Sequence, residues 1–163
     1  MKILAIDPGY DRLGIAILEG TASKPIVVFS DCFVTNRADT KEKRLSDIAD
    51  KIKETIETYR PEKVVVETLF FGVNQKTGIG VAEARGAILS ETGRAKIPVI
   101  ELNPNSIKVA VTGYGGSKKQ GVTDMVKKLV RVKKTIKYDD EYDAIAIGIA
   151  ALAISKTNLT NKN

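Results

Sequence analysis

Residues 144–154 read Ala-Ile-Ala-Ile-Gly-Ile-Ala-Ala-Leu-Ala-Ile, eleven positions without a polar side chain, inside a helical pattern over about Asp140–Ser155. A helix that is apolar on nearly every face has no side to offer water and must be covered all round. The run is too short to cross a bilayer. The cover therefore has to come from the rest of the chain, as a sheet against which this helix is buried. At 163 residues the chain has room for one domain, and that length can bury a core without metal or disulfide staples.

The segments that could form that sheet are easy to find. Lys2–Asp7 is an apolar run that ends in an acid and then Pro8-Gly9, which is how a buried strand enters a turn. Arg12–Leu18 and Pro25–Val34 are rich in Val, Ile and Phe and are separated by a turn over Gly20–Lys24, so the first three strands form an antiparallel meander. The period then changes. Leu45, Ile48, Ala49, Ile52 and Ile56 put one apolar face on a helix over Arg44–Tyr59, stopped by Pro61. Val64–Glu67 and Ile97–Leu102 are two more strands, with helices over 79–94, Asn105–Val111 and Val122–Val132 before the apolar one. The class is α/β, a mixed five-stranded sheet flanked by helices. Neither an internal repeat nor a linker divides the chain.

Composition restricts the chemistry. There is no histidine, which excludes imidazole-based zinc sites and Ser-His-Asp triads. A single cysteine, Cys32, excludes an internal disulfide and thiolate clusters and fits a reducing compartment. Catalysis would fall to carboxylates and lysines, and a catalytic metal would be a hard, oxygen-ligated ion such as magnesium or manganese. Of the overall charge of +6, the excess lies in residues 103–137, which hold nine Lys/Arg against one acid, Asp124. That is either a solvated face or the footprint of a polyanion, most often nucleic acid. The N-terminus lacks the apolar core of a signal peptide, so a cytoplasmic protein with no membrane segment is expected.

Four acids stand where such chemistry would need them. Asp7 and Glu67 each end an apolar strand, and two acids at the ends of neighbouring strands can point into one crevice at the sheet's edge. Asp7 could instead cap the Pro8-Gly9 turn. Asp140 and Asp143 share a face at the start of the apolar helix. Acids there are also favoured by capping and the helix dipole, a task open to Asp139 and Glu141 as well. Clustered carboxylates repel, and a divalent cation relieves the repulsion. Two such ions about 4 Å apart can activate a water and stabilise the leaving oxygen of a phosphodiester. Convergent acids, no histidine and a basic flank together point to metal-dependent cleavage of nucleic acid.

Six segments in order carry a resemblance: Ile6-Asp7-Pro8-Gly9; Glu67-Thr68-Leu69-Phe70-Phe71 with Asn74; Ala84-Arg85-Gly86; Pro104 with Lys108; Val111-Thr112-Gly113 with Lys119; and Asp140-Glu141-Tyr142-Asp143-Ala144-Ile145-Ala146. Over nearly its whole length the chain resembles the RuvC family of Holliday-junction resolvases, in the RNase H-like superfamily. The resemblance implies one RNase H-like resolvase domain over 1–156, followed by a polar tail over 157–163. It implies that Asp7, Glu67, Asp140 and Asp143 bind two magnesium ions, with manganese able to substitute, and that Lys119 is the lysine near the scissile phosphate. It also implies that Lys108 and Lys118 contact DNA and that Phe70 stacks on unpaired bases, although Phe70 and Phe71 could equally be core. The implied assembly is a homodimer on a four-way junction, with the helix over 79–94 (Val81, Ala82, Ala84, Ile88) as its interface, and a RuvA–RuvB branch-migration complex as a further partner.

The implied activity is structure-selective endonuclease cleavage by paired symmetric nicks, in recombination and DNA repair. Three differences from the family pattern stand out: Arg12-Leu13-Gly14 replaces a Thr-Gly step and looks more like the related YqgF nucleases, Gly121 stands where a Gln is usual, and many relatives have a longer basic tail. The alternatives are thus a YqgF-like nuclease acting on RNA and a protein that binds junctions without cutting them.

Overall fold

The structure, a computed structural model, describes residues 1–68 and 75–160, with 75–77 and 155–160 as backbone only. Three strands, β1 (Ile3–Asp7), β2 (Arg12–Thr21) and β3 (Lys24–Val34), come first. Then follow α1 (Lys41–Tyr59), β4 (Lys63–Glu67), α2 (Gln75–Arg94), β5 (Val99–Leu102), α3 (Pro104–Thr112), α4 (Lys119–Leu129) and α5 (Asp139–Thr160). This is the element order read from the sequence. The sheet runs β3-β2-β1-β4-β5: the meander is antiparallel, and β1, β4 and β5 are parallel. The central strand β1 is covered on both faces, which is why Ile3, Leu4, Ala5 and Ile6 are all apolar and fully buried.

The period of two along these strands sorts the core into two layers. Leu4, Ile6, Ile15, Ile17, Val64 and Val66 face α1 and α2, meeting Ile48, Ile52, Ala84 and Ile88. Ile3, Ala5, Ala16, Leu18 and Val65 face the other way, onto α3, α4 and α5. By the same alternation Asp7 and Glu67 lie on the α5 face. Helix α5 lies very close to the sheet. A Cβ on Gly148 would stand 2.3 Å from Cδ1 of Leu18, and one on Gly14 would stand 2.1 Å from the carbonyl oxygen of Asp140. Glycine at these two positions lets the first turn of α5 press against β2, level with Asp7, which pairs with Gly14 in the sheet.

Boundaries differ where the first turn of a helix is polar and leaves no apolar period. Helix α1 begins at Lys41 rather than Arg44, after Thr40, and ends as expected before Pro61, with Arg60 in the left-handed region. Helix α2 starts at Gln75, and α4 starts at Lys119, three residues before the expected Val122. Helix α5 continues past Ser155 to Thr160. The turn between β2 and β3 is only Ala22-Ser23, with Thr21 paired to Lys24. The expected interface on α2 is corrected in part: Ala84 and Ile88 are fully buried under this chain's own sheet and are not available to a second copy.

Candidate active site

Asp7 ends β1 and Glu67 ends β4, the strand beside it, so both carboxylates leave the same edge of the sheet on the same face. The first turn of α5 brings Asp139, Asp140 and Asp143 to that edge. Helix α4 starts at Lys119, which places its ammonium 2.6 Å from Oδ2 of Asp139 and 2.8 Å from Oδ2 of Asp143. A cleft of about 280 Å³ is lined by Glu67, Lys108, Lys119 and Asp143 over Ile107 and Val122. Helix α3, which carries Lys108, is fixed by Asn103, whose side chain accepts from the backbone N–H of Ser106 at 2.8 Å. Lys118 caps α4 and is exposed just outside the cleft. The structure therefore brings together Asp7, Glu67, Asp140, Asp143, Lys119 and Lys108. Phe70, Phe71 and Asn74 lie outside the described residues.

The electrostatics match a set of acids held together against their repulsion. Burial, then the charges of Asp143, Glu67 and Asp140, push the carboxyl of Asp7 well above the usual range, and Lys119 offsets this only in part. Glu67 is raised by burial and by Asp143, against the pull of Lys119 and Lys108. Asp143 is raised by burial, although Lys119 bonds to it, and Asp140 by burial, with Arg12 opposing. Partial burial disfavours the charge on Lys119, but its bonds to Asp139 and Asp143 outweigh this and hold the ammonium above the usual lysine range. Asp139 is the exception among the acids, lowered mainly by its bond to Lys119. The field reaches Cys32, opposite Gly14 on β3. Burial and the charge of Asp140 push its thiol up to about 12, which leaves it unreactive.

These side chains suit a hard divalent cation. All the donors are carboxylate oxygens, the central one is half-buried among like charges, and Oδ2 of Asp140 is buried without an aligned hydrogen bond. As they lie, no three acids among the described residues stand close enough to share an ion. Three of the acids are instead engaged in ion pairs: Lys119 takes Asp139 and Asp143, while Arg12 takes Asp140, its Nε 3.0 Å from Oδ2. A cation held by these acids would need these pairs to open.

A family model described as crossover junction endodeoxyribonuclease RuvC matches residues 3–151. The chain belongs to the RuvC family. Among curated relatives, the crossover junction endodeoxyribonuclease RuvC of Carboxydothermus hydrogenoformans is 44% identical over 150 residues, covering 92% of this chain and 94% of that one. The RuvC of Petrotoga mobilis is 40% identical over 146 residues, covering 90% of each. Among solved structures, that of Thermus thermophilus RuvC in complex with Holliday junction substrate aligns with a TM-score of 0.90 at 27% identity, over 97% of this chain and 96% of that one. The fold is accordingly RNase H-like, and this RuvC-family chain is a crossover junction endodeoxyribonuclease of a metal-dependent nuclease family.

Three residues at the site carried no such role in the sequence. Asp139, in sequence a candidate cap, shares Lys119 with Asp143. Arg12, in sequence a difference from the family pattern, pairs with Asp140. Glu141 was a candidate cap, but it is buried, accepting from Ser30 Oγ at 2.6 Å and pairing with Lys134 Nζ at 2.8 Å. Lys134 also donates to the carbonyl of Ser30 at 2.6 Å, so this member of the basic segment straps the loop before α5 onto β3. No helix among the described residues is long and apolar enough to cross a membrane.

Proposed function

We propose that this chain resolves four-way DNA junctions by paired symmetric nicks, in recombination and DNA repair. The observation that carries the reading is the convergence of Asp7, Glu67, Asp140 and Asp143 at one sheet edge beside Lys119 and Lys108. The four acids would hold two magnesium ions, with manganese able to replace them. Bound there, the ions supply an activated water and charge stabilisation for the leaving oxygen.

The chain's own groups do the rest. Asp7, at the centre of the cluster, must be ionised to hold a cation, and its raised affinity for a proton makes cation binding compete with protonation as pH falls. Lys119 stays protonated at any working pH. On leaving Asp143 its ammonium becomes a fixed positive charge for the oxyanion that develops at the scissile phosphate. Lys108 and the exposed Lys118 hold the DNA backbone across the cleft, and Phe70 stacks on unpaired bases at the crossover. Two symmetric nicks in a two-fold junction require two sites related by the same axis, hence a homodimer. The resolvase domain spans residues 1–156, with 157–163 as a polar tail. It works in the cytoplasm, downstream of a RuvA–RuvB complex.

The deciding experiment is strand-resolved cleavage of a mobile four-way junction with magnesium, comparing the wild type with Asp7→Asn. Symmetric nicks from the wild type, with the variant binding but not cutting, are expected. Intact junctions with the wild type at low salt would sink the reading, and cleavage of precursor RNA in their place would favour the YqgF-like alternative suggested by Arg12-Leu13-Gly14.

A further inference from the structure

Arg12 opens β2 and lines a groove of about 580 Å³ between the β1–β2 turn and the start of α2, separate from the cleft lined by Lys119. Gly9, Tyr10, Lys41, Gly80 and Asp140 line that groove with it. The Nε of Arg12 is 3.0 Å from Oδ2 of Asp140, its Nη2 is 3.8 Å from Oδ1 of Asp139, and its guanidinium lies 5.4 Å from the centre of the Tyr138 ring. The Arg12 side chain is 43% exposed and that of Asp140 19%. Although Oδ2 is buried and close to Nε, it receives no aligned hydrogen bond. The pair is held by charge and not by a directed, two-pronged bond, and such a pair is the more easily exchanged.

Resting on the reading of Asp140 as a cation ligand, we propose that Arg12 is a displaceable counter-ion for that carboxylate. It competes with the divalent ion for Asp140 and, once displaced, turns its guanidinium to a DNA phosphate at the mouth of the groove. The two roles exclude each other on charge grounds, because a guanidinium in contact with Asp140 repels a dication bound to the same oxygens. The other cation of the groove is already engaged: Lys41 pairs with Glu83 Oε2 at 3.0 Å. Arg12 has a partly exposed side chain, a planar fork suited to phosphate, and the Tyr138 ring as a support through the exchange. The consequence is linkage. A phosphate that draws Arg12 away raises the affinity of the site for the cation, and the cation raises affinity for DNA by the same factor. The chain therefore loads its metal most readily when DNA is present.

The test follows free Mn²⁺ by its paramagnetic resonance signal during titration of the metal-free full chain, for wild type, Arg12→Gln, Arg12→Lys and Asp7→Asn. Without DNA, Arg12→Gln binds Mn²⁺ about fivefold or more tightly than wild type. Arg12→Lys, the milder change that keeps the charge, stays within about twofold of wild type. A saturating, non-cleavable four-way junction tightens Mn²⁺ binding by the wild type more than by Arg12→Gln. The counter-ion role is overturned if Arg12→Gln binds Mn²⁺ no more tightly than wild type while Asp7→Asn has lost it, or if Arg12→Lys tightens it fivefold. If Asp7→Asn keeps wild-type Mn²⁺ binding, the metal reading itself fails, and the inference with it.

Discussion

Asp7 and Asp11 lie four residues apart, on either side of the β1–β2 turn, and their carboxyls are driven in opposite directions. Asp11 is lowered, first by its hydrogen bond to Arg44 and then by Arg37, whose Nη2 is 2.7 Å away. Arg44 is buried in α1, donates to Thr35 Oγ1 and to the carbonyl of Tyr10, and lies 3.8 Å under the Tyr10 ring. Every charge there meets its opposite, and the group clamps the turn. Asp7 is raised by burial and by three like charges. One acid stabilises the fold. The other is held by the fold in a state it would not choose, as expected of a group kept for binding something absent from the unbound chain.

Exchanging each acid for its amide separates the two roles, and this is the largest effect expected. Asp7→Asn lowers junction cleavage by at least about 10²-fold, the scale of removing one preorganised electrostatic group. Above the native pKa of Asp7 it also raises the metal-free melting temperature, because it removes a charge the native state disfavours. Asp11→Asn leaves cleavage in place and lowers the melting temperature. The contrast between the two regions would be broken if both variants moved stability in the same direction.

Lys119 sharpens the picture on the active-site side. It lowers Asp7, Glu67 and Asp143, all of which stand raised. Replacing it by Met drives those three carboxyls further up. Since they must be ionised to hold a cation, the acid limb of the pH–rate profile moves to higher pH. The maximal rate falls as well, by roughly 10²-fold. A pH–rate profile of Lys119→Met with an unshifted acid limb would mean that Lys119 does not set the ionisation of these acids before the cation binds.

Breaking the clamp is the next smaller effect. Arg44→Ala leaves Asp11 and Thr35 without their main partner. Because Asp11 is partly solvated, the cost is about 2–3 kcal/mol, below the range for a fully buried pair. Thermal melting of the variant reads this directly. Cleavage measured well below the melting point should change little, because Arg44 reaches Asp7 only through the turn.

The sheet, the element order and the meeting of Asp7 and Glu67 at one edge were legible in the sequence for one reason: apolar periodicity records burial, and an acid that ends an apolar run marks a strand edge. The pairings that complete the site leave no such local mark. Arg12 and Asp140 meet only because Gly14 and Gly148 let α5 press onto the sheet. Ser30 and Glu141 are 111 residues apart, and a buried Glu in an acidic helix start reads as a cap. Helix α2 misled for the opposite reason: small residues at helical spacing look alike whether they face a partner or, as Ala84 does, their own sheet.

The smallest effect tests the sign of the strain. In the metal-free chain the native pKa of Asp7 lies above its unfolded value, so between the two the native state binds more protons. Its penalty is therefore full above the native pKa and shrinks as pH falls through it toward about 4, the unfolded value. Asp11 and Asp139, lowered in the native state, behave oppositely and lose their contribution only below that point. The difference in melting temperature between Asp7→Asn and wild type isolates Asp7 from the rest of the chain. It should be largest above that native pKa, at about 2–4 °C for each kcal/mol relieved, and close toward pH 4. Saturating magnesium should reverse it, because only the wild type then gains a ligand. A difference that stayed constant with pH would mean that Asp7 is not the strained member of the pair.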